Sequence, residues 1–313
     1  NSKLISKGGG IYARDQKRIP ISAEMRVRLQ TEITEASPEE LIRLLLKAPV
    51  DLLWNGGIGT YVKASDEAHS DVGDRTNDSL RVNGSELRCK VVGEGGNLGF
   101  TQRGRIEFAQ AGGRINTDAI DNSAGVDCSD HEVNIKIALR DALGQNRITM
   151  EERNQILEDM TEDVARLVLI DNRLQTQALT IAEASGTKQL EPMSRMMSEL
   201  EAIDFLDRKV EFLPNARQLS ERRARGEGLT RPELAVLLSY AKLHFYQQIK
   251  DSKMVKADYF IPELLRYFPD EMQEQFREEI LNHRLRAPII ATMITNSVIN
   301  RAGITFAHQV IEE

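Results

Sequence analysis

The sequence predicts an α/β domain with parallel strands, followed by a mostly α-helical domain. Sixteen of the 21 glycines lie between Gly8 and Gly125, where short apolar runs end in tight turns. Beyond Gly125 only five glycines remain, and apolar residues recur at helical spacing over long stretches. A length of 313 residues is sufficient for two ordinary domains. We therefore expect one domain over residues 1–140 and a second over residues 141–313.

Three apolar segments predict strands in the first domain. Val50–Trp54 and Cys89–Val92 are short runs that end in glycine-rich turns, which is typical of buried parallel strands. Arg105–Gln110 carries a weaker pattern of the same kind. Because helical and strand segments alternate in this part of the chain, a parallel sheet is favoured.

Capping residues predict where several helices begin. A serine or threonine precedes a first turn that carries glutamate at Ser37–Glu40, Thr149–Glu152 and Thr230–Glu233. The first of these helices is expected to continue through Lys47, and the second toward Leu169. Another helix is expected to begin near Ser129 and to continue to Leu143.

Composition and charge argue against several classes of protein. A net charge of −7 disfavours nucleic-acid binding, which usually requires a basic surface. No apolar run approaches the roughly 18 residues of a membrane-spanning helix. Two cysteines make no disulfide framework, so a reducing cytoplasm is the simplest location. Since the chain lacks an initiator methionine and a signal peptide, we expect it to be part of a longer polypeptide.

Two turns of the same form follow the two clearest strands. Asn55-Gly56-Gly57 follows the first, and Glu94-Gly95-Gly96-Asn97 follows the second. Ligands of open α/β sheets bind beyond the carboxyl ends of the strands, where glycine allows close approach of the backbone. Taken alone, each glycine cluster is explained about as well by a tight turn that binds no ligand. Their expected position on one edge of the sheet favours ligand binding.

The segment between Asp118 and Glu132 leaves two interpretations open. A helix that starts near Ser129 would offer free amides to an anionic group, but a plain helix cap explains the serine equally well. Cys128 and His131 have a metal-like spacing without a second ligand pair, so no metal site is expected. A buried thiol beside a capping histidine is favoured over a Cys128 nucleophile with a His131 base. The sequence contains neither a complete G-x-G-x-x-G nor a Walker A motif.

Three stretches resemble the large bacterial NAD-specific glutamate dehydrogenases: Leu52–Tyr61, Val92–Gly99 and Asp121–Asp127. The resemblance implies NAD as cofactor and the oxidative deamination of L-glutamate to 2-oxoglutarate and ammonia. It implies a C-terminal fragment that contains the distal part of a Rossmann-like, doubly wound domain. The long helical region is consistent with a homo-oligomer.

Small glutamate dehydrogenases provide a weaker parallel that assigns residues. Their E-G-A-N turn resembles residues 94–97, and their N-A-G-G-V stretch resembles residues 122–126. By that match Asn97 would contact the nicotinamide ribose and Asn122 the carboxamide. Ser129 would bind the side-chain carboxylate of glutamate, while the dinucleotide would be lined by Asn55, Gly56 and Gly57. Gly96 replaces the family's alanine, and Ser123-Ala124 replaces its Ala-Gly. These residues are all small, so the close approach of the backbone to the cofactor is retained, whereas the hydrogen bonds to the cofactor are less secure.

No residue matches the family's pyrophosphate loop, catalytic lysine or catalytic aspartate. We therefore assign no catalytic residue, and we expect the upstream part of the same polypeptide to supply them and this chain to be inactive alone. Two other functions are compatible with the sequence. The helical half could be a non-catalytic oligomerisation or regulatory module. A phosphate-handling hydrolase could use Asp51 or Asp127 near a metal, but no paired acidic motif supports it.

Overall fold

The computed structural model describes residues 4–312, which form two compact units. The first, here called the strand unit, contains the residues up to Asn122 together with Thr230–Pro232. The second, the helical unit, contains Ser123–Leu229 and the residues from Glu233 onward. The predicted boundary at residue 140 falls inside the helix Ser123–Gly144, so this boundary stays a prediction. No helix in the described part of the chain is both long and apolar enough to cross a lipid bilayer.

The strand unit alternates short strands with short helices. Its elements are, in chain order, β1 (Ile19–Pro20), α1 (Ala23–Leu29), β2 (Glu35–Ala36), α2 (Pro38–Leu46), β3 (Leu52–Asn55), β4 (Val62–Lys63), α3 (His69–Val72), β5 (Val82–Asn83), β6 (Val91–Glu94), α4 (Gln102–Gln110) and α5 (Asp118–Asp121). Short 3-10 turns lie at Arg75–Asn77 and Gly84–Glu86. The predicted start of α2 is confirmed, because the Ser37 hydroxyl accepts from the Glu40 amide at 3.2 Å and the Glu40 carboxylate accepts from the Ser37 amide at 2.8 Å.

The strands pair in twos. β3 and β6 are parallel from Leu52 opposite Val91 to Asn55 opposite Glu94, and β4 and β5 are also parallel, whereas β1 and β2 are antiparallel. The prediction of parallel strands at these two segments is confirmed, with β6 two residues later than expected. The prediction that the first of these strands is buried is wrong, since Leu52 is 53% and Trp54 60% exposed. Among the described residues β3 pairs only with β6, and every second side chain of β3 faces outward.

The third predicted strand, Arg105–Gln110, is wrong. These residues belong to α4, because the Thr101 hydroxyl caps the helix by accepting from the Gly104 amide at 2.9 Å. Phe108 lies on the buried face of this helix, where it joins a core cluster that also contains Val62, Val92 and Ile115. Ile106 and Phe108 alternate with polar residues as in a strand, but they belong to a short amphipathic helix that has few apolar residues.

The helical unit consists of α6 (Ser123–Gly144), α7 (Met150–Asp159), α8 (Thr161–Ala184), α9 (Leu190–Ala202), α10 (Ala216–Arg225), α11 (Arg231–Lys250), α12 (Ile261–Arg266), α13 (Asp270–Gln275), α14 (Arg277–Leu281), α15 (Arg286–Ala302) and α16 (Phe306–Glu312). Its main core contains buried apolar side chains from six of these helices and the segments between them, among them Ile135, Leu139, Leu264, Phe268, Met272, Ile280 and Ile290. The predicted cap at Thr149 is confirmed by reciprocal hydrogen bonds with Glu152.

Two helix bounds in this unit differ from the prediction. The helix expected to begin near Ser129 begins at Ser123, two turns earlier. The Ser123 hydroxyl donates to Asn172 Oδ1 at 2.5 Å and accepts from Gln175 at 2.7 Å. These contacts with α8 stabilise the first turn of α6, which the local sequence does not strongly predict. The helix expected to run toward Leu169 ends at Asp159, and α8 begins after Met160, whose side chain is buried in the core.

A buried histidine makes the stability of the helical unit dependent on pH. His283 Nε2 lies 3.1 Å from the carbonyl oxygen of Asn134, and Nδ1 accepts from the Leu285 amide at 3.1 Å, so the ring is neutral with its proton on Nε2. Burial lowers the pKa of His283. The unfolded chain therefore binds this proton more readily, and stability is lost as the pH falls below about 6.5.

We expect the melting temperature of the protein to decrease between about pH 7 and about pH 5, where this histidine must be protonated. The His283→Gln variant should be less stable at neutral pH but lose less stability over this interval. Thermal unfolding followed by circular dichroism at both pH values measures the difference. An identical decrease in both proteins would show that His283 is not the responsible group.

Candidate functional site

The two predicted turns lie side by side at the carboxyl edge of β3 and β6. Asn55 pairs with Glu94 at the last register position, and the Gly96 amide donates to the Asn55 carbonyl oxygen at 2.9 Å. The expectation that both turns share one edge is therefore confirmed. In an open α/β sheet this edge is where small ligands bind.

The glycines of these turns permit close packing between protein groups. A Cβ at Gly93 would lie 2.7 Å from the Trp54 ring, and one at Gly96 would lie 2.6 Å from the carbonyl oxygen of Gly57. The Trp54 ring also lies over Gly95. By contrast, no atom lies within 4 Å of the place where a Cβ of Gly57 would be. Of these glycines, Gly57 is thus the one with space for an approaching ligand.

The three asparagines assigned to the cofactor have different surroundings. Asn122, at the end of α5, donates from its side-chain amide to the Asn97 side-chain oxygen. The fold thus brings together two residues 25 positions apart. The Asn55 amide nitrogen is buried against Gly99 and has no hydrogen-bond partner among the described residues. Asn97 and Asn122 therefore form an accessible polar pair, while Asn55 lies beneath the turn.

A buried ionic network holds the second turn in place. Glu94 is fully buried and accepts from Arg105 at 2.7 and 3.0 Å, and a second carboxylate, Asp118, lies 3.2 Å from the same guanidinium. Asp121 accepts from the Glu94 amide at 2.9 Å, and Asp118 accepts from the Leu98 amide at 2.8 Å. Burial raises the pKa of Glu94, and the guanidinium opposes this effect.

Sequence reasoning missed this network. The available signal was an acidic residue at the end of an apolar strand, because a buried carboxylate requires a partner. The partner, Arg105, lies on the segment that was predicted to be a strand.

A cavity of about 370 Å³ adjoins the first turn. Its wall contains Asn55 and Gly57, the exposed cation Arg14, and apolar side chains that include Leu53, Trp54 and Tyr61. This volume is within the ~300–1,000 Å³ range of small-molecule sites, and an apolar wall with few polar groups suits a flat aromatic ring. Arg14 could pair with an anionic group of the same ligand.

The predicted features of the helix after Asn122 are only partly present. Ser129 is exposed and lies inside α6, where its hydroxyl donates to the Gly125 carbonyl at 3.2 Å, so the prediction that a helix begins near this serine is wrong. Cys128 is exposed and His131 is buried, so the buried thiol beside a capping histidine is also wrong. Asp51 lies at the amino end of β3, away from the turns, and pairs with Lys90 at 2.7 Å.

The parallel pair β3–β6 carries small turns and a polar pair at its carboxyl edge, which is the edge where ligands bind in α/β enzymes. The chain belongs to the bacterial NAD-glutamate dehydrogenase family. Residues 1–182 match the model of that family's catalytic domain, and residues 226–313 match the model of the glutamate dehydrogenase C-terminal region.

Relatives with the name NAD-specific glutamate dehydrogenase are similar over the whole chain. The protein from Pseudomonas aeruginosa is 50% identical over 312 residues, which is 100% of this chain and 19% of the relative. The protein from Halomonas elongata is 47% identical with the same coverage. The protein from Mycobacterium tuberculosis is 46% identical over 99% of this chain and 20% of its own length. The chain thus spans about a fifth of the length of these relatives.

Proposed function

We propose that the carboxyl edge of β3 and β6 binds the nicotinamide half of NAD, as part of a Rossmann-like domain in an NAD-dependent glutamate dehydrogenase. The observation that carries this proposal is the pair of turns on one edge, joined through Gly96 and Asn55, with Asn97 and Asn122 in contact beside them. Membership of the NAD-glutamate dehydrogenase family supports the identity of the ligand.

The residues fit the proposed cofactor in three respects. After the Asn122–Asn97 hydrogen bond, the Asn97 amide nitrogen can donate to a ribose oxygen, and the Asn122 carbonyl oxygen can accept from a carboxamide. The open space beside Gly57 allows the backbone to approach the dinucleotide, with Gly56 as its neighbour in the turn. The cavity beside Trp54 has the size and apolar wall that a ring requires.

In the whole enzyme, L-glutamate is converted to 2-oxoglutarate and ammonia, and NAD supplies the hydride acceptor when bound. The part of the site on this chain orients the ring and excludes water. Ser129, exposed on α6, is proposed to bind the side-chain carboxylate of glutamate. The catalytic lysine and aspartate are proposed to come from the upstream part of the same polypeptide. We also propose that the whole enzyme is a homo-oligomer and that it is located in the cytoplasm.

Titration of the protein with NADH tests the cofactor site. Trp54 is the one tryptophan of the sequence and borders the cavity, so bound NADH should quench its fluorescence. We expect Asn97→Ala and Asn122→Ala each to weaken binding by about 3- to 10-fold, the effect of losing one hydrogen bond. The control Asn154→Ala, on the exposed surface of α7, should bind as the unaltered protein does. Unchanged affinity in both test variants would contradict the proposed site.

The purified chain should form no NADH from glutamate and NAD. The reason is that the proposal places the catalytic lysine and aspartate outside this chain, so positioning groups remain without acid–base chemistry. Absorbance of NADH at high protein concentration is the measurement, with an intact NAD-specific glutamate dehydrogenase as the positive control. Glutamate-dependent NADH formation by the pure chain would refute this prediction.

A further inference from the structure

Three metal-ligating side chains meet inside the helical unit. Asp127 and His131 are one helical turn apart on α6, and Asp171 projects from the neighbouring helix α8. Their ligand atoms all lie within 4.8 Å of one another. Residues at i and i+4 on one helix with a third residue on another helix are a common way for helical bundles to build metal sites.

The cluster contains buried polar atoms without partners. His131 is 2% exposed, and neither of its ring nitrogens has a hydrogen-bond partner in the described structure. Asp127 Oδ2 is likewise buried without a partner, and its Oδ1 lies 3.8 Å from His131 Nε2. Buried polar groups are nearly always hydrogen-bonded, so these atoms are available to a partner that the protein itself does not supply.

The imidazole ring is held in a fixed orientation. It stacks on the Tyr267 ring with centroids 4.3 Å apart and planes 18° from parallel. The Tyr267 hydroxyl in turn accepts from the Asn134 side-chain amide at 2.8 Å. A fixed ring lowers the entropic cost of binding an ion.

The surrounding charges favour a cation. The carboxylates of Asp171 and Asp130 both lie near Asp127. The Lys242 ammonium on α11 faces both Asp127 and Asp171. Two half-buried carboxylates thus share one ammonium, which leaves negative charge for a bound cation to offset.

We propose that Asp127, His131 and Asp171 bind one divalent transition-metal ion, such as Zn²⁺, which joins α6 to α8. One imidazole and two carboxylates form a mixed nitrogen and oxygen ligand set, which suits Zn²⁺ or Mn²⁺ better than Mg²⁺. Lys242 occupies the same surroundings as the ion and competes with it electrostatically. All four residues belong to the helical unit.

Calorimetric titration of the chelator-treated protein with Zn²⁺ tests this site. We expect one ion per chain, with affinity decreasing from Zn²⁺ through Mn²⁺ to Mg²⁺. The Asp171→Asn variant should weaken Zn²⁺ binding by about 100-fold or more, because it removes a ligand. The Lys242→Met variant should tighten it by about tenfold, because it removes a competing charge. Zn²⁺ should also shift the ¹⁵N resonances of the His131 ring.

Two matched controls separate this site from other zinc-binding groups. Asp163→Asn changes a half-buried carboxylate on the same helix as Asp171 and should leave Zn²⁺ affinity unchanged. His308→Gln removes a histidine that lies 2.8 Å from Glu199 and should also have no effect. Equal Zn²⁺ affinity in a folded Asp171→Asn variant would overturn the proposal. So would the absence of Zn²⁺ binding by both the unaltered protein and Lys242→Met, which keeps all three ligands.

Discussion

Replacement of Arg105 by methionine is expected to lower the free energy of unfolding of the strand unit by about 3–5 kcal/mol, the cost of leaving a buried charge without its partner. Glu94 is fully buried and depends on two hydrogen bonds from this guanidinium, and Asp118 loses its charged neighbour in the same variant. Because Glu94 begins the turn that carries Asn97, NADH binding should weaken together with stability.

Urea unfolding followed by Trp54 fluorescence measures the first effect, since Trp54 packs on Gly93 and Gly95 in this unit. The Arg105→Met/Glu94→Gln double variant should be less destabilised than the sum of its single variants, because the uncompensated charge is removed. Arg103→Met is the matched control: Arg103 lies on the same helix and pairs with the exposed Asp66, so its replacement should cost no more than about 1 kcal/mol. Equal losses in the two arginine variants would contradict this account of the network.

The Gly96→Ala variant is expected to lose about 1–3 kcal/mol of stability, the usual cost of overpacking, and to bind NADH more weakly. Its Cβ would lie 2.6 Å from the backbone oxygen of Gly57, which cannot move without shifting the first turn. The substitution would also weaken the hydrogen bond between the Gly96 amide and Asn55. The small glutamate dehydrogenases have alanine in the similar turn, so this protein should not tolerate their residue.

Gly57→Ala provides the matched control, because it adds the same methyl group to the opposing turn in open space. It should retain the stability of the unaltered protein but weaken NADH binding, since the methyl group projects where the dinucleotide is proposed to approach. Urea unfolding and NADH titration of both variants distinguish the two effects. If Gly57→Ala binds NADH normally, the cofactor does not approach this turn. If Gly96→Ala is fully stable, the two turns are not in rigid contact.

Most of the secondary structure near the site could be predicted from local sequence. The capping boxes at Ser37 and Thr149 are correct because each depends on two side chains three residues apart. The parallel strands at β3 and β6 are correct because short apolar runs before glycine have few alternatives. The prediction of a strand over Arg105–Gln110 is wrong because a cap between Thr101 and Gly104 begins a helix there, and that helix has little apolar periodicity.

Tertiary contacts decided what local patterns could not. The start of α6 depends on hydrogen bonds from Ser123 to α8, about 50 residues away, and no pattern near Ser129 carries that information. For the same reason the sequence suggested a pair between His131 and Cys128, which are neighbours in the chain. The structure instead places His131 beside Asp171 on another helix. A ligand set that spans two helices leaves no fixed spacing in the sequence.

The sequence by itself determined the family, the two kinds of fold along the chain, and the two turns that follow β3 and β6. Motifs of adjacent residues carry these properties, so they can be seen without the fold. Only the tertiary structure decided that Asn97 contacts Asn122, that Glu94 pairs with Arg105, and that Gly57 is open while Gly96 is closely packed. These depend on distances between residues far apart in the chain, which are set when the elements pack together.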